Sequence, residues 1–180
     1  MNKTSPDLSI LTARIRRAFA GVKLGDGVSL RQTQVIDRYG DGLSDADFAA
    51  LPAEEITDDW SQLTLSDINC DCIAHLDAAG FRYYIPALML SVLSHYDPTS
   101  MRVIGTIQGL YPKAPHAEHR ERIYSLLDES QRSAIAAFLN ALPGLVHLSD
   151  EDKKCVARSL QNYWGGYLSG TAPNPRLERP

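Results

Sequence analysis

Apolar side chains return every three or four positions along most of this chain, and strict alternation is almost absent. Leu8, Leu11, Ile15, Phe19 and Val22 form one such stripe. Ser5-Pro6-Asp7 precedes it as N-cap, first helical residue and first-turn acid, and Gly21 is expected to end the helix. Ser29-Leu30-Arg31-Gln32 has the form of a capping box, which predicts a second helix through Val35 and Ile36 to Tyr39, stopped by Gly40. Ser44 is expected to cap a short helix ending before Pro52, and Thr57 or Asp58 to open a turn around Trp60. Ser66 and Asp67 predict a helix through Ile68, Cys72, Leu76 and Ala79, closed by Gly80.

The most apolar stretch is FRYYIPALMLSVLSHY, residues 81–96. Pro86 disfavours helical geometry at Ile85, so Phe81 to Ile85 are expected to be extended or irregular, with a helix from Pro86 to Tyr96. Its apolar residues surround the axis and leave only Ser91, Ser94 and His95 as a polar seam, the pattern of a buried hub. Asp97-Pro98 ends it. Further helices are predicted around Met101–Tyr111, 118–127 and 129–142, and from the Ser149 cap to Trp164. The predicted fold is mainly α, a single compact multi-helix domain over residues 1–168 around a buried central helix at about 86–96. The tail TAPNPRLERP has no core residues to anchor it, and residues 169–180 are expected to be disordered.

Composition adds compartment and charge to this picture. The three cysteines, Cys70, Cys72 and Cys155, form an odd set, and the start of the chain reads as an amphipathic helix rather than a leader. No apolar run reaches membrane-spanning length, so the expectation is a reduced, cytoplasmic protein with no membrane contact. The net charge of −4 is segregated. Residues 39–81 hold ten acids and no Lys or Arg, whereas both flanking parts are net basic.

Three kinds of chemistry are weak in this sequence. Cys72 with His75 and His116 with His119 are candidate metal ligands, but C-x-C lacks a zinc-binding arm and Cys72 sits on an apolar stripe, so no metal or other cofactor is expected. Ser91, Ser94 and His95 share a helix face without an orienting acid, no Gly-x-Ser-x-Gly elbow exists, and Cys155 beside Val156 looks structural. Arg14, Arg16, Arg17, Lys23, Arg31 and Arg38 form a solvated basic face rather than a nucleic-acid motif, and nucleic acid is disfavoured as a partner.

Two functional readings remain. In the first, the acidic third carries an interaction surface for a basic protein partner, with Asp41, Asp45, Asp47, Glu54, Glu55, Asp58 and Asp59 supplying the field and Trp60, Tyr39 or Phe48 the aromatic anchors. A toxin-neutralising immunity protein is the specific form of that reading. In the second, an enzyme of hydrolase type assembles a dispersed site from His95, His75 and nearby carboxylates in a cleft beside the central helix.

Three segments, IRRAFAGVKLGDGVSLRQTQVIDRYG, GFRYYIPALMLSVL and SQRSAIAAFLNAL, together resemble an uncharacterised bacterial family known as a domain of unknown function. The resemblance spans roughly residues 14 to 142. It implies one undivided domain and carries no catalytic residue to transfer.

Overall fold

A computed structural model describes residues 6–38, 42–69, 73–112 and 117–168. Among them lie eight α-helices and no strand: α1 Pro6–Ala18, α2 Leu30–Asp37, α3 Asp45–Ala50, α4 Ala78–Ser94, α5 Met101–Gly109, α6 Ala117–Tyr124, α7 Glu129–Leu145 and α8 Asp150–Asn162. Short 3₁₀ turns at Leu51–Glu54, Trp60–Gln62, Ile73–His75 and Trp164–Tyr167 complete the regular structure. The mainly α single domain is as the stripes predict. The expected Ser5 cap, the Gly40 stop and the 169–180 tail lie outside the described residues.

Most helices start where the cap residues place them. Ser29 accepts from the Gln32 backbone N–H while the Gln32 side chain accepts from the Ser29 N–H, which satisfies two end donors of α2 reciprocally. Asp128 and Gln131 make the same box at the start of α7, and Ser44 and Ser149 cap α3 and α8. After α1, Gly21 takes φ +73°, a left-handed turn that costs glycine little.

Two expectations are corrected. The expected helix from Ser66 to Ala79 does not form where the chain is described, since residues 65–69 make a turn and Ile73–His75 a single 3₁₀ turn: Asp67 turns back to accept from the backbone N–H and hydroxyl of Thr64, both at 2.7 Å, and so closes a turn instead of opening a helix. The central helix starts earlier than Pro86 suggests. Asp77 caps it, accepting from the Gly80 N–H at 2.8 Å, and α4 then runs through Pro86 without a break. Gly80 is thus inside the first turn of α4, not a stop. A Cβ there would lie 2.3 Å from the Val28 carbonyl oxygen, so the glycine admits the loop before α2 onto the helix. Burial of Phe81, Tyr83, Tyr84 and Ile85 on the turns preceding the proline outweighs the hydrogen bond that Pro86 cannot donate.

The core surrounds α4. Leu88, Met89 and Val92 are fully enclosed, and α4 packs against α1, α5, α6 and α7. Behind α7, Arg132 donates to the Leu127 and Tyr124 carbonyls at 3.1 and 2.7 Å and to the Tyr163 and Tyr167 hydroxyls. That fan ties α6, α7 and the last turn together without a carboxylate. Trp164, packed at a tilt on Tyr124 and edge-on to Tyr163, donates its indole N–H to the Leu110 carbonyl at 2.7 Å and so closes the C-terminal side onto α5.

Candidate functional site

Residues 42–69 make an arm laid against this core. Only Trp60 and Ile68 of the arm are buried, and α3 and the turn after it bury nothing. The Trp60 side chain is 3% exposed and its indole N–H donates to the Phe19 carbonyl at 2.7 Å. It is therefore the pin that fixes the arm to the core, not an anchor offered to a partner. Phe48 is half-buried, its carbonyl accepting from the Gln32 side chain at 3.1 Å. Core tyrosines reach up to the same arm: Tyr83 donates to the Ile56 carbonyl at 2.7 Å and Tyr84 to Glu55 at 3.1 Å. Burial pushes the ionisation of both phenols well above the usual range, with Asp59 adding to the effect on Tyr83 and Glu55 to that on Tyr84.

The acids of the arm divide by what they touch. Asp58 pairs with Lys23 at 3.0 Å and Glu54 pairs with Arg31, so cations from outside the acidic third offset two of them. Asp59 accepts from the Ser61 hydroxyl and N–H and from Gln62, and these bonds hold its carboxyl below the ordinary 3.8. Thr64 does the same for Asp67. Asp77 caps α4 and also accepts from the Val28 N–H at 3.0 Å. Asp45 and Asp47 stand exposed on α3, with Asp47 accepting from the Ser44 hydroxyl at 2.7 Å. Asp41 and Tyr39 lie outside the described residues.

Two clefts flank the arm and share Leu63. One, of about 170 Å³, is lined by Arg16, Ser61, Leu65, Ala87, Leu90 and His95 among others. The other, of about 300 Å³, is lined by Arg31, Gln34, Glu54, Glu55, Asp67 and Asn69 among others.

In the His95 cleft both serine hydroxyls donate to backbone carbonyls of their own helix. A hydroxyl has one proton, and Ser91 spends its own on the Leu88 carbonyl at 2.8 Å, Ser94 on Leu90 at 2.9 Å. The His95 Nδ1 lies 2.8 Å from the Ser94 Oγ. His75 is elsewhere. It sits just before the start of α4, paired with Asp37 at 3.1 Å, while His95 follows its end. Seventeen helical residues separate the two, roughly 25 Å at 1.5 Å per residue. The structure does not bring His75 and His95 into one site.

The sequence profile of a family of unknown function (DUF6714) matches residues 7–168. The chain belongs to that family. No curated protein and no solved structure matches it. The DUF6714 match runs from α1 to the last 3₁₀ turn, so core, arm and both clefts all lie inside the family domain.

Of the metal candidates, Cys72 and His116 lie outside the described residues. His119 is exposed on α6, and His75 is committed to Asp37. Among the described residues no group of three or more His, Cys, Asp or Glu converges on a metal position. Cys155 is half-buried with its thiol 3.8 Å from the Ile107 carbonyl. Among the described residues no helix is long and apolar enough to cross a membrane.

Proposed function

We propose that this chain is a protein-interaction module whose acidic arm docks a basic protein partner, with toxin neutralisation as the specific form of that role. The observation that carries the reading is the arm itself. Residues 42–69 hold seven acids and no Lys or Arg, and α3 and the turn after it contribute no buried residue to the fold. Burial in the core therefore gives no reason for this surface to be so acidic, whereas a basic partner does. Asp45 and Asp47 supply the exposed charge, and Asp58 and Glu54, each held by a cation at the rim, can exchange that cation for one on the partner.

The test is capture of a partner from the native host on the immobilised full chain at low salt. A basic protein should be retained, be released as ionic strength rises, and be lost with Asp45→Lys/Asp47→Lys at unchanged melting temperature. Asp59 is unsuited to that test because it caps the turn that carries Trp60. Retention that is indifferent to both salt and the charge reversal would contradict the proposal.

A further inference from the structure

A second surface lies on the flank of α1 beside its buried stripe, where Leu11 and Ile10 both line a groove against α7. Leu11, Ile15 and Phe19 turn inward, but Ile10 is 68% exposed, the highest value among the exposed large apolar side chains. It stands at the edge of a groove of about 430 Å³ between α1 and α7, lined by Asp7, Ile10, Arg14, Ala137, Ala141 and Gly144 among others. Small residues on the α7 side let another helix approach closely.

The charges of this groove are complementary to themselves. Asp7, Ile10 and Arg14 are spaced three and four apart and share one face of α1. Asp7 and Arg14 are two turns apart, roughly 10 Å along the axis, with Ile10 near the midpoint. When two copies of α1 cross antiparallel about a two-fold axis near Ile10, Asp7 of each meets Arg14 of the other. A closed two-fold interface requires that kind of self-matching patch. Arg14 is already positioned, since one N–H donates to the Ser133 hydroxyl of α7 at 2.7 Å and the remaining N–H groups of the fork stay available for a carboxylate.

We propose that the α1–α7 groove binds a second copy of this chain, with Ile10 of each protomer filling the groove of the other and two Asp7–Arg14 pairs fixing the antiparallel register. One helix of thirteen residues and one flank of α7 offer less than the ~800 Å² per partner of a standard stable interface, so the dimer is a weak one, dissociating at roughly tens to hundreds of micromolar.

Sedimentation velocity on the full chain across that range should show concentration-dependent dimerisation. Ile10→Glu, at an exposed position that leaves the fold intact, should raise the dissociation constant by about tenfold or more. Asp7→Arg and Arg14→Asp should each weaken the dimer, while the combined Asp7→Arg/Arg14→Asp swap restores the pairing and returns association to within about threefold of the wild type. A wild-type chain that stays monomeric throughout overturns the proposal and leaves the groove to the chain's own termini or to a foreign protein. A double swap no tighter than the single variants also overturns it. Neither result bears on the acidic arm, which shares no residue with this groove.

Discussion

The α4 hub and the acidic arm are held by different forces, though they belong to one domain. The hub is buried apolar surface, fully enclosed at Leu88, Met89 and Val92. The arm is nearly all surface. It is shaped by local bonds such as Ser44–Asp47, Asp59–Ser61 and Thr64–Asp67, and fixed by two buried side chains and a handful of bonds from the core. A segment with seven acids and no Lys or Arg is thus tethered by one tryptophan and two tyrosines.

The sharpest way to break this contrast is to remove the tether. Trp60→Ala should cost about 3–5 kcal/mol in urea unfolding, because it empties a core pocket and leaves the Phe19 carbonyl without its donor. A loss below about 1 kcal/mol would mean that the arm is held by something else. Leu88→Ala should cost about 2–5 kcal/mol by leaving a cavity at the centre of the hub. The two variants should differ in kind as well. Trp60→Ala should loosen the arm while α4 to α8 keep their helicity, whereas Leu88→Ala should lower the stability of the whole domain. Tyr83→Phe is milder, about 1 kcal/mol, since it removes only the bond to the Ile56 carbonyl and keeps the packed ring.

The smallest effect is one of pH. The carboxyls of Asp59 and Asp67 are held below the ordinary 3.8 by Ser61 and Thr64, and so are lower when folded than when unfolded. Their contribution is complete above the unfolded value and is lost as pH falls through the folded one. Unfolding at pH 6 and at pH 3 should therefore show a fall in stability, and the fall should be smaller in Asp59→Asn/Asp67→Asn. An equal fall in that variant would place the acid sensitivity outside the arm.

The two regions also differed in how far they could be read in advance. Stripes and caps located α1, α2, α3, α5, α7 and α8, because the Ser29–Gln32 box and the Ser44 and Ser149 caps act within three residues of themselves. The hub was legible as a buried helix, but its start was not. The close approach of Val28 to Gly80 and the second bond of Asp77 to Val28 join positions about fifty residues apart, and no local pattern carries that information. In the arm, Asp67 looks equally suited to capping a helix ahead of it or a turn behind it, and only the fold selects Thr64. Trp60 reads as an exposed anchor among acids because its partner, the Phe19 carbonyl, is distant in sequence. Lys23 and Arg31 reach the acids from outside the block for the same reason. Ile10 was the one quiet signal of the α1–α7 groove, an apolar residue that falls off the stripe of its own helix.

Native-state hydrogen exchange tests the contrast between hub and arm most directly. Amides of α4 and α7 should exchange only through global unfolding, while those of α3 and the turn after it exchange through local opening at a much lower free energy, with protection recovering toward Trp60 and Ile68. Uniform protection across residues 45–55 and α4 would contradict the account, because it would make the acidic arm part of the cooperative core.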